Sequence, residues 1–243
     1  MEPQFTAIEY DDGFCFECGP DLPCFNQCCK NLNQLLTPYD ILQLKHYLGL
    51  NSSEFLAQYT ITSLGPSSGL PVISLKPCAD QDRTCPFVTP AGCRVYPARP
   101  VSCRIYPLAR AVRRDRATGR ISEHFALLRE PHCRGFERPT SWTVKRWITD
   151  QAIAPYNQTN DPLIELISLK NRTLPGPLDA VQQEHVCLAL YDIDRYRQAR
   201  AHEALPSLRQ PLRELVSPTL ADDTALLKEA IQWVGRILLA PTS

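Results

Sequence analysis

Cysteine is the residue type whose number and spacing point most directly to chemistry in this sequence. The chain has 11 cysteines, of which ten lie between Cys15 and Cys133, with only Cys187 beyond them. Thiolates are soft ligands, and four of them complete a tetrahedral zinc site or hold a [4Fe–4S] cluster. Two sets of four stand out along the chain: Cys18, Cys24, Cys28 and Cys29, then Cys85, Cys93, Cys103 and Cys133. The pattern predicts a metal centre with these eight thiolates as ligands.

Other uses of crowded cysteines fit this sequence less well. Residues 1–16 have neither the basic start nor the apolar stretch of a secretory signal, so we expect a cytoplasmic protein with reduced thiols. The odd number of cysteines also argues against a disulfide framework. Cysteines that serve as small buried hydrophobic residues would scatter along the chain rather than crowd its first half. Metal ligation is therefore the favoured interpretation.

Several cysteines leave the ligand assignment open. Cys28 and Cys29 are adjacent, and neighbouring side chains diverge by roughly 100° on a helix or face opposite ways on a strand. The pair therefore serves two different sites, or one residue ligates while the other packs, and two four-cysteine sites are only one partition. Cys15 and Cys78 are either spare ligands or bystanders. Cys187 is predicted to lie on the buried face of a helix.

Charged and aromatic residues surround the second set of cysteines. Three arginines flank these cysteines, and they are the candidate cofactor-binding residues: Arg94, Arg99 and Arg104. Such cations stabilise the negative charge of a thiolate cluster or bind an anionic substrate beside it. The alternative is that they pack in surface turns. Tyr96 and Tyr106 are predicted to pack over the site.

The balance of charge argues against two classes of partner. The 243 residues include 26 Lys and Arg and 26 Asp and Glu, so the net charge is zero, which disfavours nucleic acid and anionic membranes. No apolar run approaches the roughly 18 residues that a membrane span needs. Four arginines crowd one predicted turn, which we interpret as a solvated tip because no aromatic residues interleave for base stacking: Arg113, Arg114, Arg116 and Arg120. The expected partner is a protein or small-molecule substrate.

Short elements should position the cysteines in the first half of the chain. Thr37 as N-cap, Pro38 at the first helical position and Gly49 at the end predict a helix, and a second should run from Ser52 or Ser53 to Tyr59. Residues 70–76 are β-like, whereas residues 77–107 are rich in Cys and Pro and should be irregular. Residues 105–114 and 120–129 are predicted to form a hairpin across Ala117-Thr118-Gly119.

The second half is predicted to be helical. Apolar spacing indicates a helix over 144–151 that stops at Pro155, a longer one over about 179–202, and a last one over about 227–238. The fold class is therefore α+β, with a loop-rich, metal-organised N-terminal half that contains a small antiparallel hairpin. We expect one domain, in which helical residues 137–243 pack on the cysteine-cluster region 1–136.

The order of several short motifs resembles that of a known family. In chain order they are Phe16-Glu17-Cys18, Cys24-Phe25-Asn26-Gln27-Cys28-Cys29, Leu36-Thr37-Pro38-Tyr39-Asp40-Ile41, Cys85-Pro86-Phe87, Gly92-Cys93-Arg94-Val95-Tyr96, Arg99-Pro100-Val101-Ser102-Cys103-Arg104 and Cys133-Arg134-Gly135. Over about residues 14–136 the chain resembles the YkgJ-type cysteine-cluster proteins, a zinc- or iron-chelating family named for a CxxCxxCC motif. The first cysteines are spaced more widely here than in that motif, so either Cys18 or Cys15 matches its first ligand.

The resemblance implies metal chelation and leaves three more specific functions open. Some members are described as iron–sulfur oxidoreductases, and another, flagellin lysine N-methylase, is a protein lysine N-methyltransferase that uses S-adenosylmethionine. The third function is a non-catalytic scaffold stabilised by zinc. No Gly-x-Gly or Gly-Lys-Ser/Thr loop supports an ordinary Rossmann or P-loop nucleotide site. The number of thiolates and the adjacent pair favour an iron–sulfur cluster over zinc.

Overall fold

The computed structural model describes residues 2–114, 121–201 and 220–239. The chain divides into two compact units, each made from two separate segments. The first, called here the cysteine unit, consists of Met1–Leu32 and Ala79–Pro155; the second, called the helical unit, consists of Asn33–Cys78 and Tyr156–Ser243. All eight predicted metal ligands belong to the cysteine unit. The expected packing of the two halves into one domain stays a prediction.

Strands are short throughout the described residues. They are β1 (Gln4–Ile8), β2 (Gly13–Cys15), β3 (Leu35–Leu36), β4 (Thr60–Leu64), β5 (Pro71–Leu75), β6 (Val88–Thr89), β7 (Gly92–Cys93), β8 (Leu108–Arg114), β9 (Ile121–Arg129) and β10 (Ser141–Thr143). All of their pairings are antiparallel. The mixture of small antiparallel sheets with helices confirms the predicted α+β class.

Helices differ in length between the two units. They are α1 (Pro38–Leu48), α2 (Ser52–Tyr59), α3 (Val101–Ile105), α4 (Val144–Asp150), α5 (Ala154–Thr173), α6 (Ala180–Tyr191), α7 (Ile193–Ala201) and α8 (Leu220–Leu239). Only α3 and α4, the two shortest, lie wholly in the cysteine unit. None of the helices in the described ranges combines the length and apolar character needed to cross a membrane.

A three-stranded sheet with the order β1-β9-β8 forms one side of the cysteine unit. The predicted hairpin is confirmed, since β8 pairs with β9 from Leu108↔Leu127 to Arg114↔Ile121. Its turn residues Ala117-Thr118-Gly119, with Arg116 and Arg120, lie outside the described residues. Strand β1 was not predicted, and it adds to the other edge of β9.

An aromatic core fills the cysteine unit behind this sheet. Phe16 contacts the rings of Tyr106, Phe136 and Trp147 edge to face, with centroids 5.3–5.7 Å apart. The Trp147 indole N–H donates a 3.0 Å hydrogen bond to the Ile105 carbonyl, so this large ring is buried without losing its polar partner. The segments that carry Cys15, Cys18, Cys103 and Cys133 are therefore attached to one rigid core.

The predicted caps of the first helix and the predicted range of the second are confirmed in the helical unit. The Thr37 hydroxyl accepts from the Asp40 amide while the Asp40 carboxylate accepts from the Thr37 amide, and Gly49 ends α1 with a φ of 66°. Asn51 and Glu54 form the same reciprocal arrangement at the start of α2. The β-like run over 70–76 is also confirmed, as β5.

The C-terminal helices differ from the prediction in two places. Helix α5 was not predicted, because Pro155 was interpreted only as a stop and Pro162 lies inside the helix. The single helix expected over 179–202 is instead α6 and α7, and residue 202 lies outside the described residues. The break falls at Asp192, whose carboxylate accepts hydrogen bonds from the Ser52 and Ser53 hydroxyls at 2.6 and 2.8 Å.

A buried charge network joins α1 to α8 in the helical unit. Asp223 is fully buried, and its carboxylate contacts the Lys45 ammonium at 2.5 Å, the His46 ring at 2.8 Å and the Arg197 guanidinium. Lys45, only 3 % exposed, also contacts Asp194 at 3.0 Å. Each buried charge in this network is thus offset by opposite charges within the same unit.

Candidate metal centre

Backbone hydrogen bonds bring the N-terminal cysteines close to Cys133. Strand β2 pairs with β10, and the Phe16 amide continues the ladder by donating to the Thr140 carbonyl at 2.9 Å. One residue later the Glu17 amide donates to the Gly135 carbonyl at 3.1 Å. A Cβ on Gly135 would lie 2.5 Å from the Phe16 ring, so only glycine permits this approach beside Cys133.

A second set of contacts joins the Cys28–Cys29 pair to the proline-rich segment. The two cysteines end a short 3₁₀ helix, Gln27–Cys29, which follows Asn26 in the left-handed conformation. The Asn26 side-chain amide donates to the Thr89 carbonyl at 2.9 Å. The Cys85 amide donates to the Cys29 carbonyl at 2.8 Å, so these two cysteines are neighbours although 55 residues separate them.

The candidate arginines fix the chain around Cys93 and Cys103. Arg104 is 8 % exposed and donates to the Pro97 carbonyl at 2.6 Å and the Gln151 carbonyl at 2.9 Å. Arg99 donates to the Tyr96 carbonyl at 2.7 Å and to the Gln151 side chain, and its guanidinium lies 3.7 Å from the Tyr96 ring centre. Arg99 and Arg104 therefore pack within turns, which is the alternative role that the sequence analysis left open for these arginines.

The same arginines also act electrostatically on the thiols. Burial raises the pKa of Cys93, and the amide of Val95 with the charges of Arg99 and Arg94 opposes that rise. The charge of Arg99 also interacts electrostatically with Cys103. Arg94 has its guanidinium 5.2 Å from the Phe87 ring centre. Arg94 and Arg99 therefore supply positive potential at the cysteines, whereas Arg104 donates hydrogen bonds to the backbone carbonyls of Pro97 and Gln151.

One group of thiols forms around Cys18. Although Cys18 is exposed, partial desolvation by the surrounding chain raises its pKa to about 11, and repulsion from Cys28, Cys24 and Cys133 adds to the rise. Cys133 likewise has a raised pKa, caused first by burial and also by Cys24 and Glu130. Thiolates repel one another only when they are close, so these residues form one group, called here the Cys18 group: Cys18, Cys24, Cys28 and Cys133.

A second group forms around Cys29. The Cys28 and Cys29 sulfurs are 4.0 Å apart, and either thiol can donate to the other. This contact lowers the pKa of Cys28 to about 7 and raises the pKa of Cys29, which Cys85 and Cys103 raise further. Cys29, Cys85 and Cys103 are called here the Cys29 group, while Cys93 has Cys28 as its sulfur neighbour.

The grouping in space therefore differs from the grouping along the chain. Cys133 lies with the N-terminal cysteines, and Cys29 lies with those of the proline-rich segment. The adjacent pair is divided between the two groups, which is one of the arrangements that the sequence left open. Cys28 is an electrostatic neighbour of Cys18, Cys29 and Cys93, so it is the thiol that links them.

Backbone amides point at three of the candidate ligands. The Arg134 amide donates to the Cys24 sulfur at 3.2 Å, and the nearby amides of Val95 and Gly135 oppose the rise in the pKa of Cys93 and Cys133. Hydrogen bonds of this kind stabilise the thiolate, which is the form that binds metal. The donor chemistry of the site therefore fits a metal or an iron–sulfur cluster.

The thiols are neighbours without forming a complete coordination shell. In the described ranges, no three side chains of His, Cys, Asp or Glu are placed to hold a single metal ion together. The 4.0 Å between the Cys28 and Cys29 sulfurs is close to the about 3.8 Å edge of a tetrahedral zinc–thiolate site. Metal binding at either group therefore requires the thiols of that group to move towards a common point.

Exposure separates these cysteines from ordinary core residues. Cys85 is the only cysteine in the cysteine unit's described residues that is buried, at 9 % exposed; Cys15, Cys18, Cys28 and Cys103 are exposed, and the others are intermediate. Unligated cysteine is among the most frequently buried residue types. Small hydrophobic packing therefore does not explain a surface crowded with thiols.

Three further cysteines lie outside the two groups, and one residue near Cys133 was missed by the sequence analysis. Cys15 lies on β2 opposite Ser141, whereas Cys78 and Cys187 belong to the helical unit. Glu130 and the hydroxyl of Tyr106 act on Cys133, but sequence reasoning gave Tyr106 only a packing role and missed Glu130. Glu130 follows β9 by one residue, and nothing in its local sequence distinguishes it from other surface acids.

Comparison with known families identifies the domain. Residues 17–134 match the family described as "CxxCxxCC: Putative zinc- or iron-chelating domain". The chain carries a CxxCxxCC domain. The match spans all eight predicted ligands and supports metal binding by this cysteine cluster. No curated protein and no solved structure gave a match to the chain.

Proposed function

We propose that this CxxCxxCC protein is an iron–sulfur protein whose cluster is held by thiolates of the cysteine unit. The observation that carries the proposal is the crowding of partly exposed thiols around Cys28, with backbone amides directed at Cys24, Cys93 and Cys133. The eight ligands remain Cys18, Cys24, Cys28, Cys29, Cys85, Cys93, Cys103 and Cys133.

The Cys18 group is the better candidate for a four-thiolate site. Cys28, Cys24 and Cys133 all act electrostatically on Cys18, and the sulfur of Cys24 accepts a hydrogen bond from the Arg134 amide. Four cysteines are the usual protein ligands of a [4Fe–4S] cluster. The Cys29 group with Cys93 supplies the remaining thiolates, next to the positive charges of Arg94 and Arg99.

The surrounding residues serve the chemistry that such a group supplies. A bound iron–sulfur cluster accepts or donates single electrons, and its potential depends on charge, hydrogen bonds to sulfur and solvent exposure. The amides of Arg134, Val95 and Gly135 stabilise anionic sulfur, and Arg99 offsets negative charge at Cys93 and Cys103. These features favour a cytoplasmic one-electron oxidoreductase that acts with a protein or small-molecule partner.

Elemental analysis of protein purified without oxygen tests the proposal. We expect iron, acid-labile sulfide and a visible absorption band at about 400 nm. Colourless protein with zinc and no sulfide would contradict an iron–sulfur cluster and would indicate the zinc scaffold. Titration of the same sample with S-adenosylmethionine tests the methyltransferase alternative, for which we expect no binding.

Two serine variants test the ligand assignment. Cys29→Ser and Cys85→Ser should each lower the iron content and the melting temperature, because both residues belong to the Cys29 group. Cys187→Ser is the matched control, since Cys187 lies in the helical unit, and it should retain full metal content. Unchanged metal and melting in both test variants would remove these two residues from the ligand set.

A further inference from the structure

Strand β4 forms an edge of a three-stranded sheet in the helical unit. The strand order is β3-β5-β4, so among the described strands β4 pairs with β5 alone. Four of its five residues are exposed. An edge strand presents a row of amide and carbonyl groups to which another strand can be added. The edge of β4 is therefore a candidate interaction surface.

The register of β4 determines which of its backbone groups point to this edge. Just before β4, the Lys76 amide donates to the Tyr59 carbonyl at 2.8 Å. Just after β4, the Gly65 amide donates to the Leu70 carbonyl at 2.9 Å. Both pairs continue the register of β4 on β5, and hydrogen-bonded pairs alternate with other pairs along an antiparallel ladder. The odd-numbered residues of β4 therefore bond to β5, and the backbone groups of its even-numbered residues point outwards.

The outward groups of β4 match those of a second copy that runs antiparallel to it. The Thr60 amide is already used, because it donates to the Leu56 carbonyl at the end of α2. The outward donors are then the amides of Thr62 and Leu64. About a two-fold axis at Thr62, each Thr62 amide meets the Thr62 carbonyl of the other copy, and each Leu64 amide meets a Thr60 carbonyl. One symmetric register thus supplies four backbone hydrogen bonds.

The charge in and around β4 is compatible with self-pairing. Residues 55–75 include no Asp, Glu, Lys or Arg, although these types make up 21% of the chain. Edge strands are commonly protected from association by a charged side chain or a proline, and like charges directly opposite each other destabilise a strand pair. Strand β4 contains neither kind of residue, so two copies meet without repulsion. This neutrality favours a second copy over an acidic or basic peptide.

The side chains of the sheet also continue across this axis. Leu35 on β3 and Ile61 on β4 both pair with Ser74, so they lie in one row, and they are 57 % and 48 % exposed. In the symmetric register, Ile61 lies opposite Ser63 of the other copy in a non-hydrogen-bonded pair, in which side chains are closest. Pairing therefore covers part of the exposed Ile61 side chain.

We propose that β4 is a homodimerisation edge, at which two copies of the chain join their three-stranded sheets into one antiparallel six-stranded sheet. The inference goes beyond the proposed function and does not depend on the metal. A pairing of two five-residue strands is a small interface, and interfaces at the small end of the range are typical of transient association. The dimer is therefore in a concentration-dependent equilibrium with the monomer.

Sedimentation velocity of the full chain over a concentration series tests the inference. Reductant is present throughout, because the exposed thiols could otherwise form disulfide cross-links between copies. We expect the wild type to move from the mass of one 27.4 kDa chain towards twice that mass as the concentration rises. A wild-type protein that stays monomeric at every concentration would overturn the inference and would leave this edge to a strand of another protein.

Two variants place the association at β4. Thr62→Pro removes only an outward donor, and proline is tolerated on an edge strand where its nitrogen faces solvent. Ile61→Lys brings two ammonium groups close together across the axis. Each variant should weaken the association by about 10-fold or more while the monomer keeps its melting temperature. If Thr62→Pro fails to fold, Ile61→Lys alone decides, and wild-type association in that variant would overturn the inference.

Leu35→Lys is the matched control. It introduces the same charge at an exposed apolar residue of the same row, but on β3, at the opposite edge of the sheet. The association should stay at the wild-type level. Equal weakening by Leu35→Lys and Ile61→Lys would show that copies meet through the sheet face, and would overturn pairing at the edge.

Amide hydrogen exchange at low and high protein concentration locates the new hydrogen bonds. The outward amides of Thr62 and Leu64 should gain protection at high concentration, whereas the inward amides of Ile61 and Ser63 should be protected at both. Exchange at Thr62 and Leu64 that does not change with concentration would contradict the inference.

Discussion

The cysteine unit and the helical unit are built from different kinds of elements. The longest element of the cysteine unit is the nine-residue strand β9, whereas the helical unit has two helices of 20 residues, α5 and α8. Long helices satisfy their own backbone groups and bury an apolar face. The cysteine unit instead places short elements and loops around an aromatic core and a set of thiols.

The two units also differ in how they balance charge. In the helical unit, the buried carboxylate of Asp223 meets Lys45, His46 and Arg197. In the cysteine unit, by contrast, thiols lie near one another, and repulsion from Cys28, Cys24 and Cys133 adds to the raised pKa of Cys18. The helical unit therefore offsets its buried carboxylate with several cations, whereas the cysteine unit gathers thiols, with Arg94 and Arg99 acting on Cys93.

Removing the metal should have the largest effect, and it should destabilise the cysteine unit but not the helical unit. Structural thiolate sites contribute binding free energies of roughly 10–16 kcal/mol to the folded state. We expect a chelator to cause loss of amide-exchange protection at Cys85 and Arg94, whose amides donate across loops of the cysteine unit. Helices α1 and α8 should keep their protection. Equal loss in both units would show that the helical unit depends on the metal too.

Truncating Asp223 should have the largest effect of any single substitution in the helical unit. Asp223→Ala leaves Lys45 and Arg197 buried without their shared carboxylate, so we expect a loss of about 3–5 kcal/mol in the free energy of unfolding. Urea denaturation measures this loss. Asp222→Ala, at the exposed neighbouring position, is the control and should cost less than about 0.5 kcal/mol. Metal content should be unchanged in both variants.

A smaller effect should appear in the pH dependence of stability. Burial raises the pKa of Asp194, but hydrogen bonds from the Ser52 amide and the Lys45 ammonium outweigh it, and the net pKa lies below the usual value of 3.8. The carboxylate therefore stabilises the fold above the unfolded pKa, and this contribution is lost as pH falls through the lower folded value.

Urea denaturation of Asp194→Asn across a pH series checks this expectation. The difference in unfolding free energy between wild type and variant should be full at pH 6 and should shrink towards about pH 3. Glu165→Gln, at an exposed position of α5, should follow the wild type throughout. A difference for Asp194→Asn that stays constant with pH would show that the variant acts through packing rather than charge.

The smallest effect is expected for substitution of Cys78, which tests whether the metal ligands are confined to the cysteine unit. Cys78 is exposed and belongs to the helical unit, so Cys78→Ser should change neither the metal content nor the melting temperature. Elemental analysis and thermal unfolding measure the two quantities. Loss of metal in this variant would extend the ligand set beyond the cysteine unit.

Local signals predicted the fold where neighbours in sequence determine the structure. Thr37, Pro38 and Gly49 cap α1 through contacts within a few residues, and the predicted boundaries match those observed. The break at Asp192 was missed because its partners, Ser52 and Ser53, lie about 140 residues away. Apolar spacing continues across the break, since Val186 and Ile193 are both buried, so periodicity alone indicated one helix.

In the candidate site, too, local sequence signals did not predict contacts between segments that are far apart in the chain. Residue type and crowding predicted a set of eight ligands, which stays a prediction, but they did not predict which cysteines lie together. Cys133 reaches Cys18 through the contact of Glu17 with Gly135, and Cys29 reaches Cys85 through another backbone hydrogen bond. Both contacts join distant segments. Tyr106 could be predicted as a packing residue, while the Phe16 ring on which it packs became visible only in three dimensions.

The division of the cysteine unit into two chain segments has a consequence for synthesis on the ribosome. Cys15 to Cys29 leave the ribosome first, and the partners they need, from Cys85 to Cys133, are translated only after the 46 residues of Asn33–Cys78. The early thiols are therefore open to oxidation and to mismatched metals while the nascent chain is incomplete. Under the proposed ligand assignment, loading is complete only after translation has passed Cys133, so timing as well as affinity would determine the final metal content.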